Sequence, residues 1–220
     1  DKKNFNLITT TSSCFGMPNF NFVKGNQIIQ EPCNSQHYEK ILKTISATNN
    51  NIIIINARFP LYLSNGEYFD NKQGDIEANG ETFYQLKSID KNISIEQGYI
   101  NFFNKLNKIS KKVIVVYPIP EVGFNVPRRI LNLMKEKKLK NLNNAKSIKN
   151  LSTSYEVYIN RTKDSFDLLN KLNDNIGKIY PHKIFCDKKR CFTILNNQIL
   201  YSDSNHLSLS GSKLINEKIS

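Results

Sequence analysis

Two uninterrupted apolar runs, Ile52-Ile53-Ile54-Ile55 and Val113-Ile114-Val115-Val116, constrain this chain more than anything else in it. A strand wetted on one face alternates apolar and polar residues, whereas a strand covered on both faces reads as continuous Val and Ile. Both runs fall far short of the roughly 20 apolar residues that a membrane span needs. Between them Ile100, Phe103, Leu106 and Ile109 recur at helical spacing. The pattern therefore predicts a strand over Asn51–Asn56, a helix from Ile93 to Ile109 and a second strand over Lys112–Tyr117. Parallel strands need a crossover of this kind.

The remaining sequence continues the alternation. Phe5–Thr10 reads as a short strand, closed by a loop from Ser12 to Pro32 with Gly16, Pro18 and Gly25 as punctuation. Ser35 can cap a helix to about Ser46, on the spacing of Tyr38, Ile41, Leu42 and Ile45. Residues 63–91 form a long polar excursion broken by glycines. Pro127 opens a helix through Lys137, and Ser152–Asn173 reads as one long amphipathic helix. Lys178–Tyr180 is a short strand, and Phe192–Leu195 with Ile199–Tyr201 flank Asn196-Asn197-Gln198 as a hairpin. Ser208 or Ser210 caps a final helix carrying Leu214 and Ile215. The fold class expected is α/β, with a doubly wound, mostly parallel sheet and helices on both faces. At 220 residues the chain suits a single domain over 1–220.

Net charge is +12, from 31 Lys plus Arg against 19 Asp plus Glu. Only five of those cations are Arg, and Asn and Ile are abundant, a bias that matches AT-rich coding. The densest basic run, Lys135-Glu136-Lys137-Lys138-Leu139-Lys140, ends a predicted helix, where cations suit the dipole. It has no interleaved aromatic residues, which argues against nucleic acid as a partner. No apolar leader follows Asp1-Lys2-Lys3-Asn4, so the sequence is expected to be an internal piece of something longer.

The four cysteines fall as two local pairs, Cys14 with Cys33 and Cys186 with Cys191. Neither pair has the C-x-x-C spacing of a zinc or thioredoxin site, and His37 and His182 do not complete a local four-ligand set, so no metal is expected. Three connectivities are open, of which the local one is simplest. On the chain-entropy model those bridges would contribute ~3 and ~2 kcal/mol. They would also mean an oxidising compartment, the alternative being four reduced thiols in a cytosolic protein.

Chemistry enters near the end of the chain, at Tyr201-Ser202-Asp203-Ser204-Asn205-His206-Leu207-Ser208, with Gly211 just beyond. A carboxylate three residues ahead of an imidazole can hold the ring in the tautomer whose other nitrogen takes a proton from a hydroxyl nucleophile. The bland alternative is a turn and a helix cap. In doubly wound folds ligands lie beyond the carboxyl ends of the strands, which brings in Asn56-Ala57-Arg58 and Pro118-Ile119-Pro120-Glu121. Arg58 could hold an oxyanion or close the sheet edge as a salt bridge. Glu121 reads as a turn residue, and His37 and His182 read as ordinary surface residues.

Several blocks resemble the SGNH-type domain found fused to multi-span membrane acyltransferases that modify cell-surface glycans. They are Ser13–Pro18, Ile55–Phe59, Tyr117–Gly123, the Phe185-Cys186…Cys191 segment and Leu200–Ser208, in the family's order and spanning 13–211. The resemblance implies a three-layer α/β/α fold and a Ser-His-Asp site acting on acyl esters, with His206 as general base and Asp203 as its orienting partner. It implies an oxyanion or substrate role for Arg58, which stands where the wider superfamily has an asparagine, with Asn56 beside it and Gly16 as a backbone donor. The family's serine lies in a Gly-Asp-Ser turn, and here Gly74-Asp75-Ile76 lacks the hydroxyl while Gly211-Ser212 follows the histidine. The nucleophile is therefore expected upstream of this sequence, together with a membrane domain that tethers it in the periplasm. The expected partners are a glycan acceptor and an acyl donor delivered by that membrane domain, with no cofactor. A non-catalytic glycan-binding domain and a free-standing secreted esterase are the alternatives.

Overall fold

Residues 14–48, 50–69, 82–148 and 151–219 are described by the computed structural model, apart from the side chains of 145–147. In chain order the elements begin with the hairpin β1 (Phe20–Lys24) and β2 (Gln27–Ile28), then α1 (Ser35–Ser46), β3 (Ile52–Asn56) and the short α2 (Phe59–Leu63). There follow β4 (Gln85–Ser88), α3 (Ile95–Ile109), β5 (Lys112–Val116) and α4 (Val126–Lys135). A 3-10 turn at Leu142–Ser147 leads to β6 (Ser152–Ser154), α5 (Tyr155–Asn170), β7 (Gly177–Ile179), α6 (His182–Phe185), β8 (Arg190–Phe192), β9 (Ile194–Leu195), β10 (Gln198–Ile199) and α7 (Leu209–Asn216).

The centre is a parallel sheet in the order β3-β5-β7, with Ile52 opposite Lys112, Asn56 opposite Val116, and Val116 opposite Ile179. Pleating sends alternate residues of β5 to opposite faces. Val113 and Val115 join Ile55 and the buried residues of α1 and α3, together with Leu168 and Leu169 of α5. Ile114 and Val116 join Ile179, Val126, Ile130 and Leu133 of α4, Phe185, and Ile215 of α7. Helices thus cover both faces of the sheet, the expected α/β/α layering. Side-chain caps set several helix starts: Asn34, Ser94, Asn125 and Ser208 each accept a backbone N–H from three residues on. At the last helix, Ser208 is the cap of the two candidates.

The structure departs from the sequence reading in five places, the first being that Asn34 rather than Ser35 caps α1, since the Asn34 side chain accepts the His37 N–H and Ser35 is the first helical residue. The 12–32 segment holds the β1–β2 hairpin, and β1 also pairs antiparallel with β4 inside the polar excursion, Phe22 opposite Leu86. Ser152–Ser154 is a strand bound to β8, so the long helix starts only at Tyr155. The C-terminal hairpin turns on Asn196-Asn197 alone, both at positive φ as a tight primed turn requires, while Phe192 belongs to β8. Finally, at the edge strand β3 the described residues leave one face partly open, with Ile52 and Ile54 51% and 49% exposed. The strand Phe5–Thr10 lies outside the described residues. None of the described helices is long and apolar enough to cross a membrane.

Candidate active site

The C-terminal ends of β3, β5 and β7 lead into Arg58, Glu121 and His182 respectively. The loop after β10 folds back over the segment following β5. Tyr201, fully buried, donates its hydroxyl to the Pro120 carbonyl at 2.8 Å. Val122 N–H donates to Ser204 O at 2.9 Å, and Val126 N–H to Asp203 O at 3.2 Å. A bridge between Tyr201 and Leu207 closes the loop, with Ser202 N–H bonded to His206 O. Asp203 and His206 are thereby fixed at the strand-end rim, where α/β folds hold their ligands.

Within this loop the Asp203 carboxylate is fully engaged. Its Oδ1 accepts the backbone N–H groups of Asn205 and His206 at 2.8 and 2.7 Å, and its Oδ2 lies 2.6 Å from His206 Nδ1. Partial burial raises the pKa of this carboxyl, but the two backbone donors and the ring outweigh that and leave it below its ordinary value. An ionised carboxylate on Nδ1 holds the proton there and leaves Nε2 as the acceptor. The imidazole is 75% exposed, and no serine hydroxyl among the described residues is bonded to it.

Beside this loop lies a second polar cluster. The Glu121 side chain, 4% exposed, takes Arg58 Nε on Oε1 and Arg161 Nε on Oε2, the latter at 2.8 Å. Arg161 also donates to Ser64 Oγ and the Glu67 carbonyl, at 3.2 and 2.8 Å, so α5 ties down the chain that leaves α2. The Arg58 guanidinium lies 5.5 Å from the Tyr68 ring centroid. Glu121 is therefore a buried ion-pair partner rather than a turn residue, and Arg58 makes the sheet-edge salt bridge. Asn56 is exposed at the end of β3. Gly16 is buried under aromatic rings, and a Cβ there would stand 2.8 Å from the Tyr38 ring.

Both local cysteine pairs are disulfides, Cys14–Cys33 and Cys186–Cys191. His182 is half-buried rather than a plain surface residue, ringed by Tyr155, Tyr158, Phe166 and Tyr180. Among the described residues no group of three or more His, Cys, Asp or Glu side chains could hold a metal ion.

A family model, the SGNH domain (fused to AT3 domains), matches residues 1–220. The chain belongs to that family. No curated protein sequence matches this SGNH domain. Among solved structures it is similar to the lipopolysaccharide acetyltransferase periplasmic domain of Salmonella ser. Paratyphi A, at 18% identity and a TM-score of 0.51. The match covers 90% of this chain and 66% of that one, and at such identity it is a likeness of fold. Membership supports chemistry of the esterase or acyltransferase type. Sequence reasoning passed over Arg161 altogether. Two of the five arginines in a lysine-rich SGNH domain converge on Glu121, and a guanidinium's fork of donors suits a shared carboxylate better than an ammonium does.

Proposed function

We propose that this SGNH domain transfers or hydrolyses an acyl group, acetyl as the first choice, on a cell-surface polysaccharide through a Ser-His-Asp site. The observation that carries the reading is the 2.6 Å contact between His206 Nδ1 and Asp203 Oδ2 at the rim of the parallel sheet. The serine Oγ attacks the acyl carbonyl while His206 Nε2 takes its proton, and Asp203 steadies the imidazolium. Collapse of the tetrahedral intermediate breaks the bond to the donor oxygen, which leaves with that proton. A glycan hydroxyl, or water, then gives its proton to His206 and attacks the acyl-serine; the bond from the acyl carbon to the serine Oγ breaks, His206 returns the proton to that oxygen, and ester or acid is released.

Arg58, Asn56 and the backbone of Gly16 are the donors proposed for the oxyanion or the bound substrate. The serine is proposed to come from a segment pairing along β3, which among the described residues is paired only with β5 and leaves Ile52 and Ile54 half exposed. Two disulfides support an extracytoplasmic setting. The family's fusion partner supports a membrane domain as the source of the acyl group.

The test is turnover of 4-nitrophenyl acetate by the full-length protein that carries this domain. His206→Ala is expected to lose about 10⁴-fold or more in kcat. Turnover that survives the substitution removes His206 as the base. Glycan binding with no turnover in the unaltered protein would make the domain a docking module instead.

A further inference from the structure

We propose that the outer face of α4 is a membrane-contact surface, binding the anionic headgroups of a phospholipid bilayer with Leu131 and Met134 set among them. Val126, Ile130 and Leu133 turn one side of this helix into the core. On the other side Leu131 is 52% and Met134 38% exposed, with exposed Pro127 between them around the helix. Arg128 and Lys135 lie beyond Leu131 on the same outer surface, and exposed Lys137, Lys138 and Lys140 extend the cations past the helix end. The only acid in the run, Glu136, is bonded to Lys138 at 2.8 Å. Residues 126–140 therefore present an apolar strip bordered by positive charge.

Each feature selects the occupant. An acidic polysaccharide would satisfy the cations and leave the apolar strip facing water. A second copy of this chain would set two basic faces against each other. A bilayer surface with anionic headgroups satisfies both, since lysine stems cover apolar surface while their ammonium groups stay at the phosphates. The face is also coupled to the candidate site, because the first residue of α4, Val126, bonds Asp203 O. A ten-residue helix is about 15 Å long, so a bilayer lying along it sits within roughly that distance of the dyad loop. This goes beyond the acyl-transfer reading and does not depend on it.

The experiment is sedimentation of the chain with phosphatidylcholine vesicles containing about 30 mol % phosphatidylglycerol, against vesicles of phosphatidylcholine alone. Binding to the anionic vesicles is expected, with little to the neutral ones. The double variant Leu131→Ser with Met134→Ser keeps the net charge and should bind about tenfold more weakly. Lys135→Glu with Lys138→Glu should abolish binding. All four side chains are exposed, and a circular dichroism melt confirms folding before each measurement. Unchanged binding by the serine variant, or equal binding to neutral vesicles, would each overturn the proposal. Sedimentation involves no turnover, so its outcome is separate from that of the His206 test.

Discussion

Arg161 Nε donates to Glu121 Oε2 at 2.8 Å, joining α5 to the segment after β5 at a point where Glu121 is nearly sealed from water. Arg58 takes the other oxygen of the same carboxylate. The two guanidinium groups are also largely buried, at 19% exposure for Arg58 and 12% for Arg161, and among the described residues Glu121 is the carboxylate they share. Removing it takes a shared carboxylate from two cations in a poorly solvated place, which is costlier than losing an exposed pair.

Glu121→Ala should therefore destabilise the fold by about 3 kcal/mol, read as a lower urea midpoint at unchanged slope. Glu121→Gln keeps the shape and some of the hydrogen bonding, and should fall between the two. Because Val122 also holds the loop of the dyad through Ser204, the alanine variant should lower turnover of the full-length protein as well. A midpoint shift worth less than about 1 kcal/mol would show that the cluster is solvated in solution.

This cluster marks where sequence reading stops. The strands at Ile52 and Val113 and the Asp203–His206 pair were legible because each is local: a run of apolar residues, or a three-residue spacing. Glu121 meets residues 63 and 40 positions away, and no periodicity records such a partner. The β1–β4 pairing failed for a related reason, since Gln85-Leu86-Lys87-Ser88 buries one apolar side chain and takes its structure from Phe20–Val23 far upstream. Ile52 and Ile54 show the opposite error. Apolarity records what a residue tolerates, and the number of covered faces depends on neighbours that the run itself does not contain.

Asp203→Asn should preserve the loop's outline while removing the carboxylate that fixes the ring. Turnover in the full-length protein should fall by about 10⁴-fold, the scale seen when an orienting aspartate is replaced by its amide. Stability should change little, because this side chain is partly exposed and its contact with the ring is solvent-screened. Its depressed pKa places any stabilisation above the ordinary carboxylate range, to be lost as pH falls through the lower folded value. Full turnover in the amide variant would mean that His206 is oriented by something else.

His182 makes a separate pH-dependent contribution. Burial among Tyr155, Tyr158, Phe166 and Tyr180, then the neighbouring Lys183 charge, hold its pKa below the ordinary value of 6.5. Between the folded value and 6.5 the unfolded chain binds a proton that the folded chain does not. Stability should therefore rise with pH across that window and level off above it. Urea midpoints taken at about pH 5.5 and 7.5 should differ, and His182→Gln should remove part of that difference. An identical slope in the variant would assign the dependence to other groups.

Gly211 supplies the last prediction, because it sits where the dyad loop hands over to α7. A Cβ at this position would lie 2.3 Å from the Leu200 carbonyl oxygen and 3.1 Å from Leu207 Cδ2. That carbonyl already accepts the Ser208 N–H at 2.8 Å, so it has little room to retreat. Alanine is the better helix former by about 1 kcal/mol, yet here the contact dominates. Gly211→Ala should cost about 1–3 kcal/mol by shifting the start of α7 away from β10. The Tyr201–Leu207 bridge would open with it, and in the full-length protein turnover should drop with little change in KM, because the misplaced group is the proposed base. A stabilised variant would show that the backbone at Leu200 yields and that α7 does not set the position of His206.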